Sequence, residues 1–243
     1  MLNYFTLITG ATSGIGLSTA RHLASGNTKL IVLGRSNDKL KSLINDIGDE
    51  HLSLCCDFNN TSEIAERLSE FINSNNVLVN KVIHCAGVDQ TLPVKSLNVN
   101  LIEDLMRVNF YSIVEILSVL LKHSINKSSL TNIIFVSSIC AIRGFKAKAS
   151  YSVSKSALDS YMKVLSKELA PNTVVNSILP GAVPTPMSHN VFDNPKTVKH
   201  FEDIYPLGIG SVENVVALIA LYHDLDGGWV TGQQIVVDGG VSV

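Results

Sequence analysis

Residues 151 to 155 read YSVSK, which places Tyr151 and Lys155 four positions apart. On an α-helix such a pair shares one face, with Cβ atoms about 5 to 6 Å apart, so both side chains project the same way. A phenol with a pKa of about 10 exchanges protons poorly at neutral pH, and a neighbouring ammonium stabilises its phenolate. The same spacing also arises in any amphipathic turn with one aromatic and one solvated charge. A second pattern narrows the choice. TGATSGIG, residues 9 to 16, holds Gly10, Gly14 and Gly16 ahead of an apolar helical stretch with Leu17, Ala20 and Leu23. Glycines there let the backbone N–H groups of a helix N-terminus approach a pyrophosphate, where the helix dipole favours an anion.

Positioning such groups requires a scaffold, and the chain supplies the pattern of one. Short apolar runs alternate with helical periodicity from end to end, as in a parallel sheet flanked by helices. The runs are YFTLIT (4 to 9), KLIVLG (29 to 34), HLSLCC (51 to 56), NKVIHC (80 to 85), NIIFVSS (132 to 138), TVVNSIL (173 to 179) and QQIVVD (233 to 238). They predict a Rossmann-type doubly wound α/β fold, seven parallel strands with helices on both faces, built as a single domain over 1–243. A helix over 61 to 74 buries Ile64, Leu68, Phe71 and Ile72 behind a Thr61 cap. Residues 181 to 210, with Pro184, Pro186, Pro195 and Pro206, break the rhythm, and a substrate lid over about 182–210 accounts for that.

Composition excludes several classes of partner. Lys and Arg number 19 against 21 Asp and Glu, a net charge of -2, so no broad positive field exists for nucleic acid or an anionic membrane. Four cysteines, Cys55, Cys56, Cys85 and Cys140, include no C-x-x-C, which fits free thiols rather than disulfides or a metal site. The opening MLNYFTLITG has no basic start or cleavage-type site, and no apolar run approaches the ~18 residues that span a bilayer. These features predict a soluble, cytoplasmic protein with no metal.

In the order and spacing of these motifs the chain resembles the short-chain dehydrogenase/reductase family, in its one-domain branch. Thr9 to Gly16 match its T-G-x-x-x-G-x-G, Tyr151 and Lys155 its Y-x-x-x-K, and Ser138 stands thirteen residues before the tyrosine. Asn109 in RVNFYS matches the family's asparagine, PGAVPT (180 to 185) its P-G-x-V-x-T, and TGQQIVVDGG its closing strand. The resemblance implies that Tyr151 is the general acid/base and that Lys155 tunes it and holds the nicotinamide ribose. It further implies that Ser138 binds the substrate oxygen and that Asn109 holds a water linking Lys155 to solvent. Ser137 is the rival for the serine role. The implied activity is an NAD(P)-dependent oxidoreductase that reduces a carbonyl to a secondary alcohol.

The cofactor residues carried over are Gly10, Thr12, Ser13, Gly14, Ile15, Gly16, Arg35, Ser36, Asp57, Phe58, Ala86, Gly87, Tyr151, Lys155, Pro180, Gly181, Val183 and Thr185. The second strand ends LIVLGRS: Gly34 stands where an NAD enzyme carries an acid, and Arg35 follows with a guanidinium suited to a 2′-phosphate. This favours NADP (NADPH) over NAD, although Ser13 replaces the basic residue of the NADP branch and Arg35 can equally point to solvent. Asp57 matches the aspartate that binds adenine, with a plain strand-end turn as the alternative. HCAG, residues 84 to 87, replaces the family's N-N-A-G, which puts the local sheet bonding in question.

Substrate is less legible. Arg143, Lys146 and Lys148 precede Tyr151 and suit an anionic or carrier-bound substrate, or simply a solvated loop. PLGIGSVENV (206 to 215) resembles a segment of 3-oxoacyl-carrier-protein reductases but lacks its arginine and proline. A non-catalytic nucleotide-binding regulator on the same fold is a further reading. Helices at 101 to 123 and 151 to 170 carry apolar residues on more than one side, including Val114, Leu121, Val164 and Leu165. By resemblance they predict a homotetramer built on a four-helix dimer contact.

Overall fold

The computed structural model of the protein describes residues 3–225 and 228–243; Met1, Leu2, Asp226 and Gly227, included in the expected domain span, lie outside the described residues. Each apolar run forms a strand: β1 (Tyr4–Thr9), β2 (Leu30–Gly34), β3 (Leu52–Cys55), β4 (Leu78–His84), β5 (Asn132–Val136), β6 (Val174–Pro180) and β7 (Gln234–Val237). They make one parallel sheet in the order β3-β2-β1-β4-β5-β6-β7. The intervening helices are α1 (Gly14–Ser25), α2 (Asn37–Ile47), α3 (Thr61–Asn75), α4 (Val99–Met106), α5 (Ser112–Leu120), α6 (His123–Asn126), α7 (Ala149–Glu168), α8 (His189–Phe192), α9 (Pro195–Ile204) and α10 (Val212–Asp224).

The strands read as near-continuous apolar runs because both faces of the sheet are covered. In β2, Ile31 and Leu33 join a core with α3, α5 and α7, whereas Leu30 and Val32 join a second core with α1, α2 and α10. The same alternation divides Ile133 and Phe135 from Ile134 and Val136 in β5. The expected Thr61 cap is displaced by one position. Thr61 is the first helical residue, and Asn60 precedes it with its amide bonded to the Glu63 carboxylate at 2.5 Å.

The strand order reverses direction between β1 and β4, and the C-terminal ends of these two strands open the crevice where such sheets bind ligands. Two irregularities lie beside it. A π-turn at Arg107–Tyr111 interrupts the helix expected over 101 to 123, with the Ser112 N–H reaching the Arg107 carbonyl five residues back. The segment expected as a lid folds into the short helices α8 and α9. No helix among the described residues is long and apolar enough to cross a membrane.

Candidate active site

At the β1 end the chain turns sharply into α1. Gly10 has φ 65°, and a Cβ on it would lie 2.8 Å from the Ala86 backbone, so the β1 and β4 loops can meet only because position 10 is glycine. Ser13 occupies the N-cap of α1 with no side-chain capping bond, no acid stands in the first turn, and the first intrahelical bond runs from the Leu17 N–H to the Ser13 carbonyl. The N–H groups of Gly14, Ile15 and Gly16 precede that first bond and are available to an anion.

From this loop a cavity of ≈ 410 Å³ runs past Cys85, Ala86 and Gly87 to Ser138, Tyr151 and Lys155, then along Pro180, Gly181, Val183 and Thr185. The structure therefore brings together Gly10, Ser13, Gly14, Ile15, Gly16, Ala86, Gly87 and the serine, tyrosine and lysine. It does not bring Thr12, Arg35, Ser36, Asp57 or Phe58 into the cavity wall. Phe58 is buried in the core. Asp57 is exposed and one of its oxygens accepts from the Asn59 N–H at 3.0 Å, so a strand-end turn is formed there. The Thr12 side chain packs beside Gly34, where a Cβ would come within 2.8 Å of the threonine methyl. An acid at position 34 would displace Thr12, which explains the glycine at the end of β2.

Tyr151 and Lys155 share the inner face of α7, with the Lys155 Nζ 5.8 Å from the Tyr151 ring centre. Burial holds the phenol above its ordinary pKa, the negative charge of Asp89 adds to this, and the Ser138 hydroxyl bonded to it opposes. The lowering expected from Lys155 is not among these influences, and in the free protein the tyrosine is a protonated acid. Lys155 donates to the Val136 carbonyl at 2.9 Å; burial brings its pKa down to about 8, against the opposing pull of Asp159 one turn further along α7. Ser137, the rival serine, reaches the Lys155 carbonyl at 3.5 Å and acts on Asp159, whereas Ser138 is the serine whose hydroxyl acts on the tyrosine.

Asn109 sits on the π-turn and is fully buried. Its Oδ1 accepts from the Val88 N–H at 2.7 Å, and its Nδ2 donates to the Val88 carbonyl at 3.0 Å and the Ser154 hydroxyl at 2.8 Å. Its amide group is committed to these bonds.

The bonding left in question by HCAG is restored by histidine. The Thr9 hydroxyl accepts from the Ala86 N–H at 3.1 Å and lies 2.8 Å from His84 Nδ1. With the Thr9 proton directed at Nδ1, the Nε2 nitrogen carries the ring proton and points it at the Asn109 carbonyl, 3.4 Å away. Burial and then the charge of Lys155 hold the His84 pKa down to about 3, so the ring is neutral. The four cysteines are free; burial lifts Cys85 to about 12 and Cys56 to about 11, which leaves both as inert thiols.

The basic residues expected to attract an anion are largely engaged. Lys148 pairs with Asp89 at 2.5 Å and Thr91 at 2.7 Å, and Arg143 donates to the Val241 carbonyl. Lys146, the third, is exposed on the cavity wall, and much of the rest of that wall is apolar, formed by Ile139, Phe145 and, from the lid segment, Met187, Val191, Phe192 and Phe201. Sequence reasoning missed Asp89 and Asp159. The four-residue interval from Lys155 to Asp159 was a legible signal; Asp89 had none, because only folding sets it beside Tyr151.

A sequence profile described as short chain dehydrogenase matches residues 5–196. The chain is 30% identical over 242 residues to the 3-oxoacyl-[acyl-carrier-protein] reductase FabG of Rickettsia prowazekii (strain Madrid E), covering 97% of this chain and 95% of that protein. It is 28% identical over 236 residues to the L-xylulose reductase of Mus musculus, covering 96% and 94%. Among solved structures, a 4-hydroxyisoleucine dehydrogenase complexed with NADH superimposes with a TM-score of 0.91 at 23% identity, covering 99% of each chain. ElxO with NADP bound gives 0.87 at 20% identity, covering 100% of this chain and 99% of that one. At such identities the structural likeness speaks for the fold alone.

The His84 pKa lies at about 3 in the folded chain against an ordinary 6.5, so the unfolded chain takes up the proton first as pH falls. Stability should therefore decline from pH 6.5 towards 3, with His84 contributing about 1.5 kcal/mol of the loss between pH 6.5 and 5. Urea unfolding of the wild type and His84→Asn at the two pH values tests this: the variant should show a shallower decline by about that amount, and parallel declines would refute the assignment.

Proposed function

Because the chain belongs to the short-chain dehydrogenase family, we propose that it reduces a small-molecule carbonyl compound to a secondary alcohol, with NADPH preferred. The observation that carries this reading is the convergence of Ser138, Tyr151 and Lys155 on one cavity that begins at the α1 N-terminus. When bound there, a reduced nicotinamide supplies the hydride that adds to the carbonyl carbon. Ser138 donates to the substrate oxygen, and Tyr151, kept protonated by its surroundings, delivers the proton that completes the alcohol. Lys155 restores that proton through a water held at Asn109. Pro180, Gly181, Val183 and Thr185 flank the nicotinamide end, while Ala86 and Gly87 provide the small surface between the two halves.

The preference for NADPH rests on Arg35, which is exposed, and on the Thr12 side chain, which an acid at position 34 would have to displace. Ser36 caps α2 beside it, accepting from the Lys39 N–H at 3.4 Å. Asp57 keeps one carboxylate oxygen for the adenine amino group. A carrier-protein substrate has support from the Rickettsia relative and from Lys146, exposed on the cavity wall, whereas Lys148 and Arg143 are already engaged.

Assembly as a homotetramer has support from α7, which carries two exposed valines on its outer side among Ser160, Lys163 and Lys167. Leu158, Met162 and Leu165 face the protein's own core, while Val153 and Val164, three turns apart, are each 52% exposed. Leu165 is 3% exposed, which corrects its expected place at the interface. The edge strand β7 also presents an exposed Val236, with Trp229 exposed nearby in sequence.

Tyr151→Phe should keep fold and cofactor binding but lower turnover by about 10²- to 10⁴-fold on carbonyl substrates, measured by consumption of the reduced cofactor. Near-wild-type rates would refute proton transfer by the phenol. Arg35→Asp should weaken NADPH by tenfold or more with little loss of NADH, read from the two Michaelis constants; equal affinities in the wild type would remove the preference. Val164→Glu should shift a tetramer to smaller species in light scattering, and a monomeric wild type at micromolar concentration would refute the assembly.

A further inference from the structure

We propose that the Asp89–Lys148 pair is a subsite that reads a hydroxyl on the substrate near its reacting carbonyl, so that the preferred substrates are hydroxy ketones or hydroxy aldehydes with an apolar remainder. The inference rests on the reductase reading above and names the substrate class for that same cavity.

Asp89 follows β4 and Lys148 precedes α7; both line the cavity, and their side chains are only 19% and 17% exposed. The pair is incompletely satisfied. Lys148 Nζ carries three protons, of which Asp89 Oδ2 and Thr91 Oγ1 take one each. Asp89 lines the cavity, but its Oδ1 is turned out of reach of solvent and has no hydrogen-bond partner, so a ligand donor meets it once the carboxylate rotates toward the cavity. A buried carboxylate oxygen left in this state is costly, so a ligand donor placed against it gains disproportionately.

One remaining acceptor beside one remaining donor is the complement of a hydroxyl, which donates and accepts through a single oxygen. A substrate carboxylate would meet the Asp89 charge, an ammonium would meet Lys148, and a methyl would leave Oδ1 unpaired. The pair is neutral overall, which selects a neutral polar group. Asp89 and Lys148 line the same cavity as Ser138, Tyr151 and Lys155, and Lys148 stands three residues before Tyr151 at the start of α7, which places the hydroxyl near the carbonyl. Ile139, Phe145, Met187, Val191 and Phe192 make much of the remaining wall apolar, with Lys146 at its exposed side.

The pair is not needed to join the two segments. The Leu92 N–H already donates to the Ala147 carbonyl at 2.8 Å, and Ala147 holds the left-handed φ of 63° that bends the chain just before Lys148.

Two matched pairs of ketones test the subsite: α-hydroxyacetophenone against propiophenone, and β-hydroxypropiophenone against butyrophenone, in each of which a methyl replaces the hydroxyl. kcat/KM is measured for the wild type and for the double variant Asp89→Leu with Lys148→Met, which removes both charges together. Thermal melting and fluorescence of bound NADPH confirm that the variant is folded. The wild type should favour the hydroxy ketone of at least one pair, with that preference at least about tenfold larger than in the variant. Comparing the two proteins cancels the hydroxyl's effect on carbonyl reactivity. An unchanged ratio, or reduction of other carbonyl compounds but none of these hydroxy ketones, overturns the subsite alone. Failure to reduce any carbonyl compound overturns the reductase reading.

Discussion

A lysine ammonium buried at the C-terminal end of β5 governs the arrangement around it. Lys155 is 3% exposed, and its first satisfaction is the Val136 carbonyl. A cation there costs several kcal/mol unless neighbours compensate. Asp159, one turn along α7, supplies the largest opposing charge and is itself held by the Gln234 amide at 2.7 Å, which ties α7 to the edge strand β7. The Asp89 carboxylate adds a further opposing charge, and two other neighbours stay neutral. His84 is held uncharged, and Cys85 remains a thiol because burial outweighs the attraction of the ammonium. Even the size of position 87 follows from this, since a Cβ there would lie 3.3 Å from Nζ and 3.4 Å from Asn109 Oδ1.

The connection from β1 through β4 to the π-turn has the same logic of exact hydrogen-bond accounting. Thr9, His84 and Asn109 stand on three different elements, and each bond fixes the role of the next. The threonine proton selects the histidine tautomer, and the tautomer presents a donor to the asparagine carbonyl. A neutral imidazole can do this work beside Lys155, whereas an imidazolium would add a second buried cation. The π-turn matters here because it shifts the helix register at the point where the Asn109 side chain must clamp Val88 and Ser154.

Much of this was legible in the sequence, for identifiable reasons. The strands declared themselves because burial on both faces demands unbroken apolar runs, as in LIVLG and NIIFV. Tyr151, Lys155 and Ser138 were readable because α7 and the end of β5 are regular, so spacing translates directly into position. The histidine at 84 was noticed only as a departure, since its partners Thr9 and Asn109 are 75 and 25 residues away. Leu165 and Val164 show the limit of periodicity: both are apolar neighbours on one helix, and only packing decides that one faces the core and the other solvent. The ion pair of Lys148 was invisible because Asp89 lies 59 residues earlier, so the basic cluster read as more positive than it is.

The two walls of the cavity differ in how freely they can vary. On the cofactor side, a Cβ at Gly10 would strike the Ala86 backbone and one at Gly16 would lie 2.3 Å from the Gly10 carbonyl, so neither position tolerates a side chain without moving a strand end. On the substrate side, Met187, Val191, Phe192 and Phe201 belong to α8, α9 and the turn before them, which add no strand to the sheet. Their anchorage is local: the Tyr205 hydroxyl accepts from the Ala182 N–H at 2.8 Å, and Ser188 bonds to Val183 and Thr185. Side chains on such elements can change without disturbing the glycine turn or the Tyr151–Lys155 face. The glycine turn is thus fixed by backbone contacts, while the opposite wall rests on replaceable side chains, which is why motifs disclose the family far better than the substrate.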